Sequence, residues 1–287
     1  MRNLFKKKLN QFFSLFLLMF LFGCSNQKTN INHNQNQSDQ NLPTTISTEP
    51  PNISPTFEND SPVTSPAHDY EVTILMYHYI RDYNRADDPI GTNLSVSPAN
   101  FEKQMQWLKE HDYQTFALSD FDKISRLDPK TKAVILTFDD GYKDAYEQAY
   151  PILKKYGFIG IFYIIAGSVG DGAYMSWDQI KELHQNGMII GSHTISHPDL
   201  RNISDTELVS QLAGSRNLIK DNTGIVTTDF CYPAGKYNET VILKLQELGY
   251  QTATTVAPGL ATQDSSLYEL PRYRITNDVN FDYFFTE

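Results

Sequence analysis

Apolar and polar positions alternate along the chain in a repeated strand-and-helix pattern from Tyr70 onward. Short apolar runs of strand length are followed by longer segments in which apolar residues recur every three or four positions, as on one face of a helix. Strands that alternate with helices in this way predict a parallel sheet covered by helices. The predicted strands are Thr73–Tyr77, Ala133–Phe138, Ile159–Ile165, Met188–Gly191, Asp229–Tyr232, Thr252–Val256 and Tyr273–Ile275.

Start and stop signals place helices between these strands. Ser97 before Pro98, and Ser204 three residues before Glu207, are patterns that begin helices, and glycines follow several of the predicted helix ends. Six or seven strand–helix units favour a closed or nearly closed barrel over an open doubly wound sheet, and no glycine-rich phosphate loop follows the first strand. The predicted helices are Pro98–Leu108, Lys143–Tyr156, Trp177–Asn186, Ser204–Lys220 and Glu239–Leu248.

The first residues of the chain have a different pattern. Four cations within residues 1–8 precede an apolar run from Phe12 to Phe22, which Gly23 and Cys24 follow. A basic start, a short apolar stretch and small residues are typical of a secretory signal, and the run is shorter than the roughly 20 residues that span a bilayer. The segment resembles the signal of bacterial lipoproteins, which implies cleavage after residue 23 and lipidation of Cys24. An uncleaved membrane anchor is the alternative.

Residues 24–69 are rich in Asn, Gln, Ser, Thr and Pro and poor in large apolar residues. Such a segment buries too little surface to offset its ordering entropy, which predicts a disordered linker. We therefore expect a signal peptide at 1–23, the lipidated N-terminus and linker at 24–69, and one folded domain at 70–287. The chain has two cysteines, Cys24 and Cys231, so a lipidated Cys24 leaves no internal disulfide.

The charge balance limits the kind of partner. The chain has 24 Lys and Arg against 34 Asp and Glu, for a net charge of −10, and four of the cations lie in the predicted signal. This acidity argues against nucleic acid or another polyanion as the main partner and suits a neutral or cationic one. The negative charge is equally compatible with an ordinary acidic protein. We expect the protein to be a monomer.

Acidic and histidine side chains follow two of the predicted strands, at the end where barrel active sites are built. Asp139 and Asp140 follow one strand, and His193 and His197 follow another. Alone, the carboxylate pair could be a solvated turn and the histidine spacing a coincidence. Together they predict a metal site, because two imidazoles and a carboxylate suit Zn²⁺, with Co²⁺ or Ni²⁺ as alternatives, and leave coordination positions open.

Residues 137–141 (TFDDG) and 193–197 (HTISH) resemble the first two motifs of the polysaccharide deacetylase (NodB-homology) family. The resemblance covers about Tyr70 to Ile275 and implies an irregular (β/α)₇ barrel that hydrolyses N-acetyl groups with a divalent metal. It implies that Asp139 is the general base for a metal-bound water, a division of labour that the chemistry of such sites supports. It further implies three metal ligands, which are Asp140, His193 and His197.

Two later family motifs are altered. Where the family has Arg-x-Pro-aromatic-Gly, residues 231–235 read CYPAG, so Ala234 keeps a backbone donor for the oxyanion while Cys231 replaces the arginine. The late histidine motif is missing, but His78 follows the first strand, as in the rearranged branch that includes poly-N-acetylglucosamine deacetylases. That resemblance implies that His78 is the general acid; the alternative is a structural histidine at a strand end. We hypothesise that Arg272 contacts Asp139 in place of the missing arginine.

The remaining predictions concern the substrate. Tyr142, Trp177 and Tyr232 are candidate sugar-binding residues, although packing explains aromatic residues at these positions equally well, and Cys231 is expected to be a buried packing residue. We expect an exported, membrane-anchored enzyme that removes N-acetyl groups from an N-acetylglucosamine-containing polysaccharide of the cell envelope. The alternatives are a non-catalytic glycan-binding lipoprotein and an esterase that removes O-acetyl groups.

Overall fold

A computed structural model describes residues 67–285, which include all of the predicted strands and helices. The predicted signal peptide, Cys24 and nearly all of the predicted linker lie outside the described residues, so this part of the domain scheme stays a prediction. Within residues 67–285, no helix is both long and apolar enough to cross a membrane.

The described part of the chain forms eleven strands. They are β1 (Glu71–Tyr77), β2 (Tyr79–Ile80), β3 (Ser95–Val96), β4 (Tyr113–Thr115), β5 (Lys132–Phe138), β6 (Ile161–Ile164), β7 (Ile189–Ser192), β8 (Asp229–Cys231), β9 (Thr252–Thr254), β10 (Ala261–Thr262) and β11 (Tyr273–Arg274).

Seven of these strands follow one another around an irregular barrel, in the order β11–β1–β5–β6–β7–β8–β9, and each pair of neighbours in that order is parallel. After β9 the ring continues through a parallel bridge between Thr254 and Leu270, which lies shortly before β11. β4 lies beside β5, and β10 pairs antiparallel with β1. The predicted irregular (β/α)₇ barrel of the NodB-homology type is confirmed by this curled sheet.

Helices cover the outside of the sheet. They are α1 (Pro89–Asn93), α2 (Pro98–Glu110), α3 (Phe121–Ile124), α4 (Tyr150–Tyr156), α5 (Trp177–Gln185), α6 (Asp205–Thr223), α7 (Glu239–Glu247) and α8 (Phe281–Phe284). The predicted caps are present: the hydroxyl of Ser97 accepts from the N–H of Asn100, and that of Ser204 accepts from the N–H of Glu207. Each bond satisfies a donor that the first turn of a helix leaves free.

The helix predicted over Lys143–Tyr156 differs in the structure. Its first part is a π-helical turn at Ala145–Ala149, in which the N–H of Tyr150 donates to the carbonyl of Ala145, and the regular helix α4 begins only at Tyr150. Pro151 has no N–H to donate and its ring crowds the preceding turn, which accounts for the wider turn just before it. Four short strands (β2, β3, β4 and β10) and the short helices α1, α3 and α8 were not predicted, since they are too short to show a period.

Alternate residues of each barrel strand face opposite sides. Val72 and Ile74 of β1 pack inside the barrel with Ile135 of β5, whereas Leu75 and Tyr77 belong to the core between sheet and helices. This alternation fixes which residue at each strand end points into the mouth of the barrel. Inside the barrel, the side chains in the middle of the strands are apolar, and those at the carboxyl ends of the strands are polar. The polar site therefore lies on a layer of packed apolar side chains.

Candidate active site

His78, Asp139, His193 and Cys231 lie at inward-facing positions, at the carboxyl ends of their barrel strands. His78 continues the inward series of β1, and Asp139 continues that of β5. His193 follows β7, Cys231 ends β8 and Arg272 precedes β11. Because the strands are parallel, these side chains meet at one rim of the barrel.

Left-handed backbone turns aim the candidate metal ligands. Asp140 has φ of 73° and His197 has φ of 58°, values that non-glycine residues adopt only where the surroundings hold them. The hydroxyl of Thr194 accepts from the N–H of His197 at 2.9 Å. The side-chain carbonyl of Gln211, on α6, accepts from the N–H groups of Ile195 and Ser196 at 3.0 and 3.1 Å. The buried Gln211 amide therefore fixes the histidine loop against α6.

The side chains of Asp140, His193 and His197 form a compact set of possible metal ligands, with their donor atoms within 4.8 Å of one another. The Oδ1 atom of Asp140 lies 3.4 Å from Nε2 of His193 and 3.8 Å from Nε2 of His197. Ligands bonded at about 2.0–2.1 Å around a tetrahedral Zn²⁺ would lie about 3.3 Å apart, so these separations fit a single ion. The residues present therefore fit the predicted metal.

The orientation of His193 also suits a metal ligand. Its Nδ1 atom lies 2.7 Å from the carbonyl oxygen of Cys231, so Nδ1 carries a proton and Nε2 is the atom whose lone pair the neutral ring would offer to a metal. A second hydrogen bond of this kind is the usual way in which a ligating imidazole is held in one tautomer.

Asp139, His193 and Cys231 form a second group with metal-ligand spacing. An ion there would compete with Arg272, whose guanidinium binds both oxygens of Asp139 at 2.7 and 2.8 Å and approaches the Cys231 sulfur at 3.1 Å. A second cation in contact with a buried guanidinium is electrostatically unfavourable. We therefore assign the ion to Asp140 and the two histidines.

Arg272 is the charge partner of Asp139. It is fully buried, and besides the paired bonds to the carboxylate it donates to the hydroxyl of Thr137 at 2.9 Å and to the carbonyl of Thr255 at 2.8 Å. Burial alone would raise the pKa of Asp139, but the guanidinium outweighs it and holds that pKa well below its usual range. Asp139 is thus a fixed, ionised carboxylate beside the candidate metal ligands.

Cys231 is fully buried, as expected of a packing residue, and its thiol lies 3.5 Å from Oδ2 of Asp139. An arginine at this position would compete for the space that the guanidinium of Arg272 occupies. The small side chain of Cys231 therefore leaves the space that Arg272 fills.

His78 faces the same carboxylate from β1. Its Nε2 atom lies 3.8 Å from Oδ2 of Asp139. Burial lowers the pKa of His78, and the charges of Asp139 and Asp140 oppose that shift. An imidazolium with a lowered pKa is a stronger acid than an exposed one.

A cavity of about 370 Å³ lies above these residues. Ala234 lines it with a left-handed backbone, φ 51°, and Tyr142 lines it from the segment after β5. Its walls also contain Tyr174, an aromatic residue near a strand end that could contact a sugar, and four residues for which no role was predicted: Leu94, Ile165, Val256 and the charged Arg274.

The ring of Tyr142 lies between two other tyrosine rings, with centroids 3.9 Å from Tyr79 and 5.1 Å from Tyr174. The guanidinium of Arg81 covers the ring of Tyr79 at 3.6 Å. Because neighbouring rings occupy both faces of Tyr142, this residue offers the cavity its edge and hydroxyl rather than a face on which a sugar could stack.

Trp177 and Tyr232 are not among the residues that line the cavity. Trp177 begins α5 and packs against the core between sheet and helices. Tyr232 is fully buried, stacks on Tyr237 at 4.1 Å and donates its hydroxyl to the carbonyl of Tyr268. The structure therefore supports a packing role, not a substrate contact, for both side chains.

Comparison with known proteins identifies the family. Residues 126–253 match the family model described as polysaccharide deacetylase. The Bacillus subtilis (strain 168) polysaccharide deacetylase homologue YxkH is 33% identical over 274 residues, which covers 92% of this chain and 93% of YxkH. The chain therefore belongs to the polysaccharide deacetylase family, and the predicted enzyme class is confirmed.

Two further relatives are informative. The poly-beta-1,6-N-acetyl-D-glucosamine N-deacetylase of Staphylococcus aureus (strain N315) is 28% identical over 249 residues, covering 77% of this chain and 84% of that protein. The structure of the Streptococcus pyogenes deacetylase PplD in complex with acetate superposes with a TM-score of 0.70 at 30% identity, covering 76% of this chain and 98% of PplD.

Proposed function

We propose that this protein is an exported, metal-dependent N-deacetylase of an N-acetylglucosamine-containing polysaccharide. The proposal depends on one observation. A group of two histidines and one carboxylate lies at the mouth of the barrel, next to a second carboxylate, Asp139, which Arg272 keeps ionised. A ligand set with open positions beside a free base is the arrangement that hydrolysis of an acyl group requires.

Asp140, His193 and His197 would hold the metal. When bound there, a divalent ion supplies a water of lowered pKa and a Lewis acid for the acetamide carbonyl. Zn²⁺ is the ion that this donor set suits best, with Co²⁺ or Ni²⁺ as alternatives.

Asp139 is the proposed general base. It accepts a proton from the attacking water as the water oxygen bonds to the carbonyl carbon, and Arg272 keeps the carboxylate in position throughout. His78 is the proposed general acid: it protonates the nitrogen as the carbon–nitrogen bond breaks, which releases acetate and leaves a free amine on the sugar. The backbone N–H of Ala234 is the proposed donor to the oxyanion.

The proposed substrate class follows from the family and from the relatives. The Staphylococcus aureus relative is named for a poly-N-acetylglucosamine, and the structurally similar PplD holds acetate, the product of any deacetylation. The membrane anchor, through a lipidated Cys24 and the 24–69 linker, is proposed from the sequence alone, as is the monomeric state. An anchor of this kind would hold the barrel near envelope glycans.

Acetate release by the full chain tests the proposal. We expect acetate from N-acetylglucosamine oligomers, loss of that activity in Asp139→Asn, and much slower release from O-acetylated xylan. Release from the xylan alone would favour the esterase. Specific binding of N-acetylglucosamine oligomers without acetate release, over a series of added divalent ions, would favour the non-catalytic lipoprotein.

A further inference from the structure

The side chain of Arg274 lies on the wall of the same cavity as the catalytic residues. Arg272 points into the barrel, and Arg274, two residues further along, is on the same side of the chain. Two residues of strand advance by about 6.6 Å, so the backbone of Arg274 lies about one layer nearer the open end than the backbone of Arg272. β11 pairs with β1 at Met76 and Arg274, which places Arg274 next to the strand that carries His78.

Arg274 and Arg272 have different surroundings. Arg272 is buried and bonded to Asp139, whereas Arg274 is exposed. Among the described residues, no carboxylate lies within 4.0 Å of Arg274, the distance that would make an ion pair. An exposed cation with no acidic partner, in a protein with ten more acidic than basic residues, is available to a ligand.

The depth of the site shows which part of a glycan would meet Arg274. Asp139, Asp140 and His193 form the floor and are at most 7% exposed. The acetamide must reach these buried residues to react, so the exposed Arg274 faces another part of the polymer. Around the ring of strands, Arg274 lies between His78 and Val256, while Tyr174 forms a backbone bridge with Tyr142, which follows β5. A chain of sugars crossing the mouth would pass both the tyrosines and the arginine.

We propose that Arg274 is a specificity-determining residue that reads the charge of the sugar next to the one being deacetylated. It attracts a unit that carries a carboxylate or a phosphate and repels a unit that already carries an ammonium. This inference rests on the proposed function. It predicts that the enzyme acts poorly beside a unit that has already been deacetylated, so that free amines would be spaced along the polymer.

The overall acidity of the protein does not oppose this assignment. Charges more than about 10 Å from a ligand are largely screened at 0.1 M salt, whereas a guanidinium in contact with an oxyanion forms charge-assisted hydrogen bonds. The acidic surface disfavours a dense polyanion, and Arg274 selects a single charged substituent at one position.

Four matched oligomers test the proposal with the full chain: a neutral N-acetylglucosamine tetramer, and tetramers in which one unit is replaced by glucosamine, by N-acetylmuramic acid or by a phosphorylated N-acetylglucosamine. We expect kcat/KM to be highest for the two anionic oligomers and lowest for the glucosamine oligomer. In Arg274→Gln, the ratio of anionic to glucosamine oligomer should fall by about tenfold, the size of one charge-assisted contact. The two anionic arms show whether the carboxylate or the phosphate is preferred.

Arg126→Gln is the matched control, because Arg126 is an exposed arginine after α3, at the other end of the barrel. It removes the same charge and should leave the ratio as in the wild type. An unchanged ratio in Arg274→Gln, or an equal change in both variants, would overturn the proposal. Raising the salt to 1 M should reduce the wild-type ratio, which a merely structural role for Arg274 would not do.

Binding separates this inference from the proposed function. The same oligomers can be titrated into Asp139→Asn and into Asp139→Asn combined with Arg274→Gln, with affinity as the readout. If no oligomer releases acetate but the charge preference in binding disappears with Arg274, the deacetylase proposal fails and the charge-reading role stands. If acetate is released without any charge preference, the reverse holds.

Discussion

The guanidinium of Arg272 binds both carboxylate oxygens of Asp139 across 133 residues of chain, at 2.7 and 2.8 Å, with neither residue accessible to solvent by more than 3%. Such a paired contact fixes the carboxylate in position and in rotation, which a single bond to a point charge does not do. The arginine that the family usually carries in its third motif is replaced here by one from a different strand.

Replacing Arg272 by lysine should therefore impair turnover more than folding. A lysine ammonium keeps the charge but cannot make two parallel bonds, so Asp139 would lose its fixed orientation, and kcat should fall by about a hundredfold, the size expected of a small misplacement of a catalytic group. Acetate release and thermal unfolding measure the two effects. Arg216→Lys is the control, because Arg216 contacts the carbonyl of Leu248 away from the site. Wild-type kcat in Arg272→Lys would contradict the positioning role.

Gln211 should control metal affinity without touching the metal. Gln211→Ala removes the acceptor for the N–H groups of Ile195 and Ser196 and frees the loop that carries His197. Loss of a group that orients metal ligands typically costs about 10–100-fold in affinity, and we expect a weakening of that size by competition with a metal-sensitive dye. Asn217→Ala, on the exposed face of the same helix, should leave the affinity unchanged. Equal affinities for the wild type and Gln211→Ala would refute the role of this amide.

Asp144 should make the protein less stable above pH 6. Burial raises the pKa of Asp144 from 3.8 to about 6, and its Oδ1 atom has no hydrogen-bond partner among the described residues. The folded protein therefore binds a proton more tightly than the unfolded chain, so the stabilising effect of that proton is present below pH 4 and is lost as the pH rises to about 6.

Asp144→Asn removes this charge. The free energy of unfolding at pH 7.5 should rise by on the order of 1–3 kcal/mol, or about 2–4 °C in Tm for each kcal/mol. At pH 4 the two proteins should unfold together. A variant that is no more stable than the wild type at pH 7.5 would show that the carboxylate is not destabilising. Denaturant unfolding at both pH values makes the comparison.

Lipidation can be tested with the two cysteines of the chain. In a bacterial host supplied with labelled palmitate, the wild type and Cys231→Ser should carry the label, whereas Cys24→Ser should not. Label retained in Cys24→Ser, or absent from the wild type, would contradict the predicted anchor.

Part of this site could be predicted from the sequence because its residues directly follow apolar strands. The Asp139–Asp140 pair and the His193–His197 pair each stand at the end of a recognisable strand, where a parallel barrel brings polar groups together. The contact between Arg272 and Asp139 was a hypothesis that rested on an altered motif, and the structure contains that contact.

Other features had no local signal. Gln211 lies within α6 and looks like any polar helix residue until its loop partners are known. Trp177 was a candidate sugar-binding residue, and only its tertiary contacts show that it packs on the core. Tyr142 reaches the cavity with both faces covered, and only the positions of Tyr79 and Tyr174 reveal this.

The central claim is that the two adjacent carboxylates have different roles: Asp140 binds the metal, and Asp139 is the general base. The most direct test measures bound metal by elemental analysis together with acetate release in Asp139→Asn and Asp140→Asn. We predict that Asp139→Asn keeps about one ion per chain and loses acetate release, whereas Asp140→Asn loses both the ion and the activity. Loss of the ion in Asp139→Asn with retention in Asp140→Asn, or full wild-type activity after the metal is removed by a chelator, would contradict the account.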